Sequence, residues 1–199
     1  MNSPAALHAE KNFHRVKFPY NLVRLLIRRL SHTGENSMGP RMDREKFSEE
    51  IWAMRGSMLR LAMSLISPRQ DAEDAVQDAI LLAWEKLDSL RSEKAFRAWM
   101  MRIVVNSCRT AYRKKQRLVL CSEVETGGTQ ERGEQDVLWE SVCTLDERMR
   151  LPIVLHYYEG FSVAEIAQIM GCPTGTIAIR MKRGRDILRR ELGEKEGKA

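Results

Sequence analysis

The sequence predicts an all-α protein of two small helical domains joined by a flexible acidic linker. Aromatic residues make up only 7% of the chain, and the alternation of β-branched residues that is typical of strands is scarce. Apolar residues instead recur every three or four positions on both sides of residues 118–136. That central segment combines three glycines and five acids with one arginine, a composition that favours a flexible linker.

Residues 1–42 are expected to be a basic extension, disordered or not native. They hold seven Lys/Arg and two Glu, so only +1 of the net charge of +6 remains for the rest of the chain. Residues 20–30, YNLVRLLIRRL, suit a basic amphipathic helix for a membrane surface or a partner. The interpretation we favour is that this extension has no role or is not made. The codons for Gly34 and Glu35 can spell a ribosome-binding site, so we expect translation to start at Met38 or Met42.

Residues 45–117 are predicted to form the first domain, with helices that begin near Phe47, Asp71 and Phe96. The second of these, DAEDAVQDAILLAWEKL, has an apolar face and a separate acidic ridge. Such a ridge could hold a metal, perform acid–base chemistry, bind a protein or simply face solvent. No histidine or second carboxylate helix completes a metal-ligand set, and no nucleophile or substrate pocket is indicated.

The end of the third helix is strongly basic. Residues 102–117 carry six Lys/Arg and no acid, with Asn106 and Tyr112 interleaved and Trp99 just before them. Aromatic rings stack on unpaired bases and asparagine can hydrogen-bond a base edge. The alternative is a basic helix end that only complements the helix dipole. Trp99 is expected to belong to the core.

Residues 137–192 are predicted to form the second domain, followed by a tail at 193–199. Ser162 is a plausible N-cap for a helix over residues 163–170, Gly171 suits a left-handed turn, and Thr174 opens the next helix. Residues 174–190 hold six Lys/Arg and Asp186 as the only acid. This pattern is typical of a helix-turn-helix that enters a DNA major groove, rather than of a hairpin with a solvated basic face.

Several function classes are disfavoured. The four cysteines form no CxxC pair, so we expect reduced thiols in a cytoplasmic protein, with no zinc site. There is no glycine-rich nucleotide loop, no apolar run of membrane-spanning length and no signal-peptide pattern. We therefore predict that the protein uses no cofactor, no metal and no small-molecule substrate.

The motifs together resemble a known family. The segments DAEDAVQDAILLAWEKLDSL, FRAWMMRIVVNSCRTAYRKKQR and LPIVLHYYEGFSVAEIAQIMGCPTGTIAIRMKRGRDILRREL, in this order around an acidic linker, are similar to an extracytoplasmic-function (ECF) sigma factor of the sigma-70 family. The resemblance spans residues 45–192. It implies a non-enzymatic protein that binds bacterial core RNA polymerase, recognises promoter DNA and helps to melt it. An anti-sigma factor is a further implied partner.

The resemblance also implies roles for particular residues. The acidic helix would dock on the clamp helices of the largest polymerase subunit, and the second domain on the flap, with the linker acids Glu123, Glu125, Glu131 and Glu134 in the RNA-exit path. The implied core-polymerase contacts are Asp71, Asp74, Gln77 and Asp78. The implied −10 contacts are Ser92, Lys94, Phe96, Asn106, Arg109, Arg113 and Lys114. The implied −35 contacts are Thr174, Thr176, Ala178, Ile179, Arg180, Lys182 and Arg183.

One departure from the family stands out at the −35 contacts. The family commonly has Lys or Arg and then Ser where this chain has Ala178 and Ile179, and an apolar side chain can contact a thymine methyl but cannot read guanine. We therefore expect an unusual −35 preference. Arg180 suits phosphate contact or domain packing as well.

Two rival functions remain at this point. A helix-turn-helix regulator that is not a polymerase subunit would need neither the acidic ridge nor the basic patch at 102–117, and binding to core polymerase separates it from a sigma factor. A nucleic-acid enzyme that holds magnesium at the acids of residues 71–78 would cleave DNA in a magnesium-dependent manner.

Overall fold

A computed structural model describes residues 42–119 and 134–196, which form seven α-helices and no strand. This confirms the predicted all-α class. The predicted amphipathic helix at 20–30, the proposed start site at Met38, and the linker acids Glu123, Glu125 and Glu131 lie outside the described residues.

The first domain consists of three helices. They are α1 (Arg44–Met63), α2 (Arg69–Glu85) and α3 (Phe96–Val119), with 3₁₀ turns at Leu87–Ser89 and Glu93–Ala95 between α2 and α3. Asp43 caps α1 by accepting a hydrogen bond from the Lys46 backbone N–H at 2.7 Å. Helix α2 ends at Glu85, two residues before the end of the amphipathic segment that predicted it, and the chain continues as a tighter 3₁₀ turn.

An aromatic cluster fixes how these three helices pack. The Phe47 ring of α1 lies 5.4 Å from the Trp84 ring of α2 and 5.7 Å from the Phe96 ring of α3, both in edge-on geometry. The predicted apolar face of α2 is buried against this cluster, including Ala79 and Ile80. The opposite face of α2, which carries the acids, is therefore left towards solvent.

The second domain begins at Glu134. Its helices are α4 (Glu134–Thr144), α5 (Glu147–Ile153), α6 (Val163–Met170) and α7 (Thr174–Glu196), with a π-helical turn at Val154–Tyr158. Pro152 lies inside α5 and has no N–H to donate, and the hydrogen-bond ladder changes to the π pattern just after it. Helix α7 extends four residues beyond the predicted end of the domain at 192.

The predicted helix-turn-helix is present with the predicted bounds. The Ser162 side chain accepts from the Glu165 backbone N–H, and the Glu165 carboxylate accepts from the Ser162 backbone N–H at 2.9 Å, which completes a capping box. Gly171 ends α6 with φ of 63°, where a side chain would be strained. This turn sets the direction in which α7 leaves α6.

The capping box predicts an acid-dependent loss of stability. Hydrogen bonds from Ser162 lower the pKa of Glu165 below its ordinary value. The ionised Glu165 carboxylate therefore stabilises the fold fully at a pH above the ordinary pKa of glutamate, about 4.3. This stabilisation is lost as the pH falls through the lowered pKa of Glu165 in the folded protein. We expect Ser162→Ala to lower the stability of the second domain by about 1 kcal/mol at neutral pH and by less in acid. Thermal unfolding followed between neutral and acidic pH tests this, and an equal loss at every pH would contradict it.

The two domains are in contact, whereas the sequence led us to expect them to be loosely tethered. Helix α6 of the second domain packs on α3 of the first. Ion pairs cross the boundary between Arg60 and Glu159 at 2.6 Å and between Arg109 and Glu147 at 2.8 Å. These partners are far apart in the chain, so no local sequence pattern indicates them.

Candidate nucleic-acid and partner interfaces

The acidic ridge lies on the solvent-facing side of α2, as its spacing requires. Asp74 and Asp78 are exposed one turn apart, and Gln77 is half-buried beside them. Asp71 differs from the others because its Oδ2 atom lies 2.7 Å from the Lys115 Nζ atom of α3. The charge that α2 offers to a partner is therefore concentrated at Asp74 and Asp78, while Asp71 joins α2 to α3.

The turn before α3, which carries three of the implied −10 contacts, is divided between surface and core. Ser92 and Lys94 are exposed in the turn before α3. Phe96, by contrast, is 1% exposed, and its ring contacts those of Phe47 and Trp99. The Phe96 side chain packs the domain and does not face the loop surface, which corrects its assignment as a DNA contact.

The basic face of α3 exposes Asn106, Arg113 and Lys114. The Tyr112 side chain is 50% exposed, so its ring is available for stacking. Arg109 belongs to the same segment but is held by Glu147 of the second domain. A patch suited to a nucleic-acid backbone is thus present, with one of its arginines occupied by a carboxylate.

The N-terminal half of α7 presents a continuous exposed face. Two rows of residues spaced four apart make up this face: Thr174, Ala178 and Lys182, and Gly175, Ile179 and Arg183. Ile179 is 56% exposed, an unusual environment for an isoleucine. On the inner side, Ile177 and Met181 are buried. The exposed face has the shape and charge for a major groove.

Two further residues of the assigned −35 set are not fully on this face. Thr176 is half-buried. The Arg180 Nη1 atom lies 3.3 Å from the Cys172 Sγ atom in the turn, so this guanidinium folds back on the helix-turn-helix. This contact favours a role for Arg180 in packing within the domain over a role in phosphate contact.

Sequence reasoning missed the residues that join distant elements. Lys115 binds Asp71, Arg97 donates to the Glu159 backbone oxygen and lies over the Phe161 ring, and Arg60 binds the Glu159 carboxylate. Each contact joins residues more than 40 positions apart, so helical periodicity carries no signal for it.

The described residues contain no group of three or more His, Cys, Asp or Glu side chains positioned to hold a metal ion. None of the described helices is both long and apolar enough to cross a membrane. Burial raises the pKa of the Cys108 thiol to about 12, so this cysteine is not a reactive nucleophile at neutral pH.

Family comparisons agree with this division of the chain. Residues 53–118 match the model of sigma-70 region 2, and residues 135–188 match that of sigma-70 region 4. The ECF RNA polymerase sigma-E factor of Escherichia coli is 31% identical over an alignment of 147 residues, and the match covers 63% of this chain and 77% of that protein. The chain belongs to the ECF sigma factors. It is therefore an RNA polymerase sigma factor, and the regulator alternative is not favoured.

Another curated relative and two solved structures extend the likeness over more of the chain. SigW of Bacillus subtilis is 25% identical over an alignment of 169 residues, and the match covers 75% of this chain and 90% of that protein. The sigma factor RpoE of Bartonella quintana, solved with the anti-sigma factor NepR, has a TM-score of 0.67 and 29% identity, covering 75% of this chain and 98% of that one. CnrH, solved with the cytosolic domain of CnrY, shares the fold with a TM-score of 0.61 and 24% identity, covering 89% and 99%. Sigma factors are non-catalytic transcription initiation factors.

Proposed function

We propose that this ECF sigma factor divides promoter-dependent initiation among the three surfaces described above. Asp74, Gln77 and Asp78 bind the clamp helices of core RNA polymerase, and the second domain binds the flap. The observation that carries the proposal is the exposed aspartate pair on α2, because neither aspartate forms an ion pair among the described residues. A DNA-binding regulator would have no use for such a ridge.

The basic face of α3 is the proposed −10 surface. Melting a duplex unstacks its bases at a cost of about a few kcal/mol per flipped base. Stacking on Tyr112, hydrogen bonding by Asn106, and phosphate contacts from Arg113 and Lys114 offset that cost. Ser92 and Lys94 complete the surface at the turn before α3. Arg109 joins it once Glu147 has been displaced.

The exposed face of α7 is the proposed −35 surface. Lys182 and Arg183 supply hydrogen bonds to base edges or phosphates, while Ala178 and Ile179 present only carbon. The Thr174 hydroxyl, at the start of the helix, suits a phosphate. The −35 preference of this protein therefore includes a thymine methyl at the base pair that faces Ile179.

The remaining assignments follow from family membership. Two solved relatives are complexes with an anti-sigma factor or with a cytosolic domain of another protein, which supports an anti-sigma factor as a partner. We propose that the protein acts in the cytoplasm, catalyses no reaction, and uses no cofactor or small-molecule substrate. A magnesium-dependent nuclease is disfavoured, because Lys115 already occupies Asp71.

Run-off transcription tests the proposal. Escherichia coli core polymerase, with and without this protein, is given the DNA upstream of the protein's gene and a library of fragments from its source genome. We expect discrete start sites that require the protein, and their alignment yields both promoter elements. Duplex binding with neither core binding nor a transcript would favour the simple regulator.

The thymine preference predicts sensitivity to a single methyl group. Once the −35 element is known, each thymine in it is replaced by deoxyuridine, and holoenzyme binding is measured. Removing a buried methyl-sized group costs about 0.8 kcal/mol, which is about fourfold in affinity. We expect this loss at one position for the native protein and no loss there for Ile179→Ala. Equal binding at every thymine by the native protein would refute the methyl contact.

A further inference from the structure

The turn that carries Ser92 and Lys94 has little to hold it in place from within. It is one 3₁₀ turn, Glu93–Ala95, closed by a backbone hydrogen bond of 3.0 Å from the Ala95 N–H to the Ser92 oxygen. No side-chain hydrogen bond from Ser92 caps it, and none of its three residues is buried. Hydrogen bonds in such turns have poor geometry. The direction in which Ser92 and Lys94 point therefore depends on contacts from outside the turn.

The first turn of α1 makes two such contacts through consecutive side chains. The Lys46 ammonium donates to the Glu93 carboxylate and forms an ion pair with it, although the two residues are 47 positions apart. The Phe47 ring lies 5.7 Å from the ring of Phe96, where the turn passes into α3. One contact holds the surface of the turn, and the other holds its buried end.

Lys46 is itself fixed, which suits it to act as an anchor. Its backbone N–H donates to the Asp43 side chain at 2.7 Å, so its Cα atom belongs to a capped helix. The hydrogen bond to Glu93 raises the pKa of Lys46 above its ordinary value, which keeps the ammonium charged. The two side chains are 44% and 37% exposed, so the pair adds little to the stability of the domain. Its contribution is to the geometry of the turn.

Glu93 needs a cationic partner for a second reason. It stands between Ser92 and Lys94, on the surface that we assign to −10 DNA. An unpaired carboxylate there would repel the phosphates of the strand. Lys46 neutralises this charge and leaves the ammonium of Lys94 to the DNA.

We propose that Lys46 is a positioning residue for promoter recognition, which acts through Glu93 to aim Ser92 and Lys94 at the −10 strand. The role in recognition rests on the proposed function, whereas the tether between Lys46 and the turn does not. Loss of the tether frees the turn without opening the core, because the rings of Phe47 and Phe96 remain packed.

A double-mutant cycle in the full chain tests the tether. Lys46→Glu and Glu93→Lys each place like charges together, and the double variant rebuilds the pair with reversed polarity. A glutamate in the first turn of α1 suits the helix N-terminus, so Lys46→Glu is expected to leave α1 folded. The matched control is the same cycle at Arg69 and Glu73, a partly exposed ion pair at the start of α2, whereas the turn follows the end of α2. Thermal unfolding verifies that each variant is folded.

Two measurements separate the tether from its role in recognition. Hydrogen exchange followed by mass spectrometry reports how well the turn protects the Ala95 N–H. Fluorescence anisotropy gives the affinity of the holoenzyme, formed with Escherichia coli core polymerase at saturating sigma factor, for single-stranded DNA that the native holoenzyme selects from a random-sequence pool. The effects of charge alone on DNA binding add across the two positions, whereas a tether makes them non-additive.

We expect each single variant at Lys46 or Glu93 to exchange the Ala95 N–H faster than the native protein, and the double variant to exchange it at a near-native rate. The double variant is expected to bind DNA roughly three- to tenfold more tightly than the single effects predict, with no such coupling at Arg69 and Glu73. Additive effects on exchange would overturn the tether. Coupled exchange with additive DNA affinities would overturn the role in recognition. Failure of the native holoenzyme to select any DNA would count against the proposed function and against that role, with exchange still deciding the tether.

Discussion

Reversing the charge of Asp74 and Asp78 to lysine is expected to weaken binding to core RNA polymerase by roughly a hundredfold and to abolish run-off transcription. Both side chains are exposed on α2, so the change should leave the fold intact. Like charges placed against a complementary surface cost several kcal/mol, and each 1.4 kcal/mol is about tenfold in affinity. The measurement is a fluorescence titration of labelled protein with core polymerase.

The chain provides a matched control for this change. Glu45 and Glu49 are exposed one turn apart on α1, with the same spacing as Asp74 and Asp78. Reversing both glutamates alters the net charge equally but leaves α2 unchanged, so near-native affinity is expected. Equal weakening by the two double variants would show that core polymerase responds to overall charge and not to the α2 ridge.

Replacing Gly184 with valine is expected to destabilise the second domain by roughly 1–3 kcal/mol. A Cβ atom at Gly184 would lie 2.5 Å from the Ile153 Cδ1 atom and 3.4 Å from the Met149 Cβ atom. The Ile153 terminus can move to admit one methyl group, but valine adds two more carbons against α5. For a domain of this size, each kcal/mol lowers the unfolding temperature by about 4–8 °C.

Gly193, further along the same helix, provides the comparison. A Cβ atom there meets nothing within 4 Å, so Gly193→Val should unfold close to the native temperature. Circular dichroism during heating measures the loss of stability in Gly184→Val. Binding of this variant to −35 DNA should decline as the second domain unfolds, while binding to core polymerase through α2 persists. Native-like unfolding of Gly184→Val would contradict the close approach of α5 and α7.

Features formed within one or two turns of chain were predictable from sequence. The acidic ridge follows from a spacing of three and four, and the Ser162 N-cap, Gly171 and the start at Thr174 bound the helix-turn-helix where expected. Each depends on residues close together in the chain, so local geometry alone determines them. The exposed Ala178 and Ile179 belong to this class, because the buried Ile177 and Met181 fix the phase of α7.

Features that join distant residues were decided by the tertiary structure. Phe96 was assigned to −10 DNA by resemblance to the family, yet the packing of α1 against α3 places its ring in the core. Asp71 carries the same charge as Asp74, but only the approach of α3 brings Lys115 to it. The sequence by itself determined which helices form and which faces they expose, because those depend on local periodicity. Only the tertiary structure decided which charges remain free, since pairing depends on which helices meet.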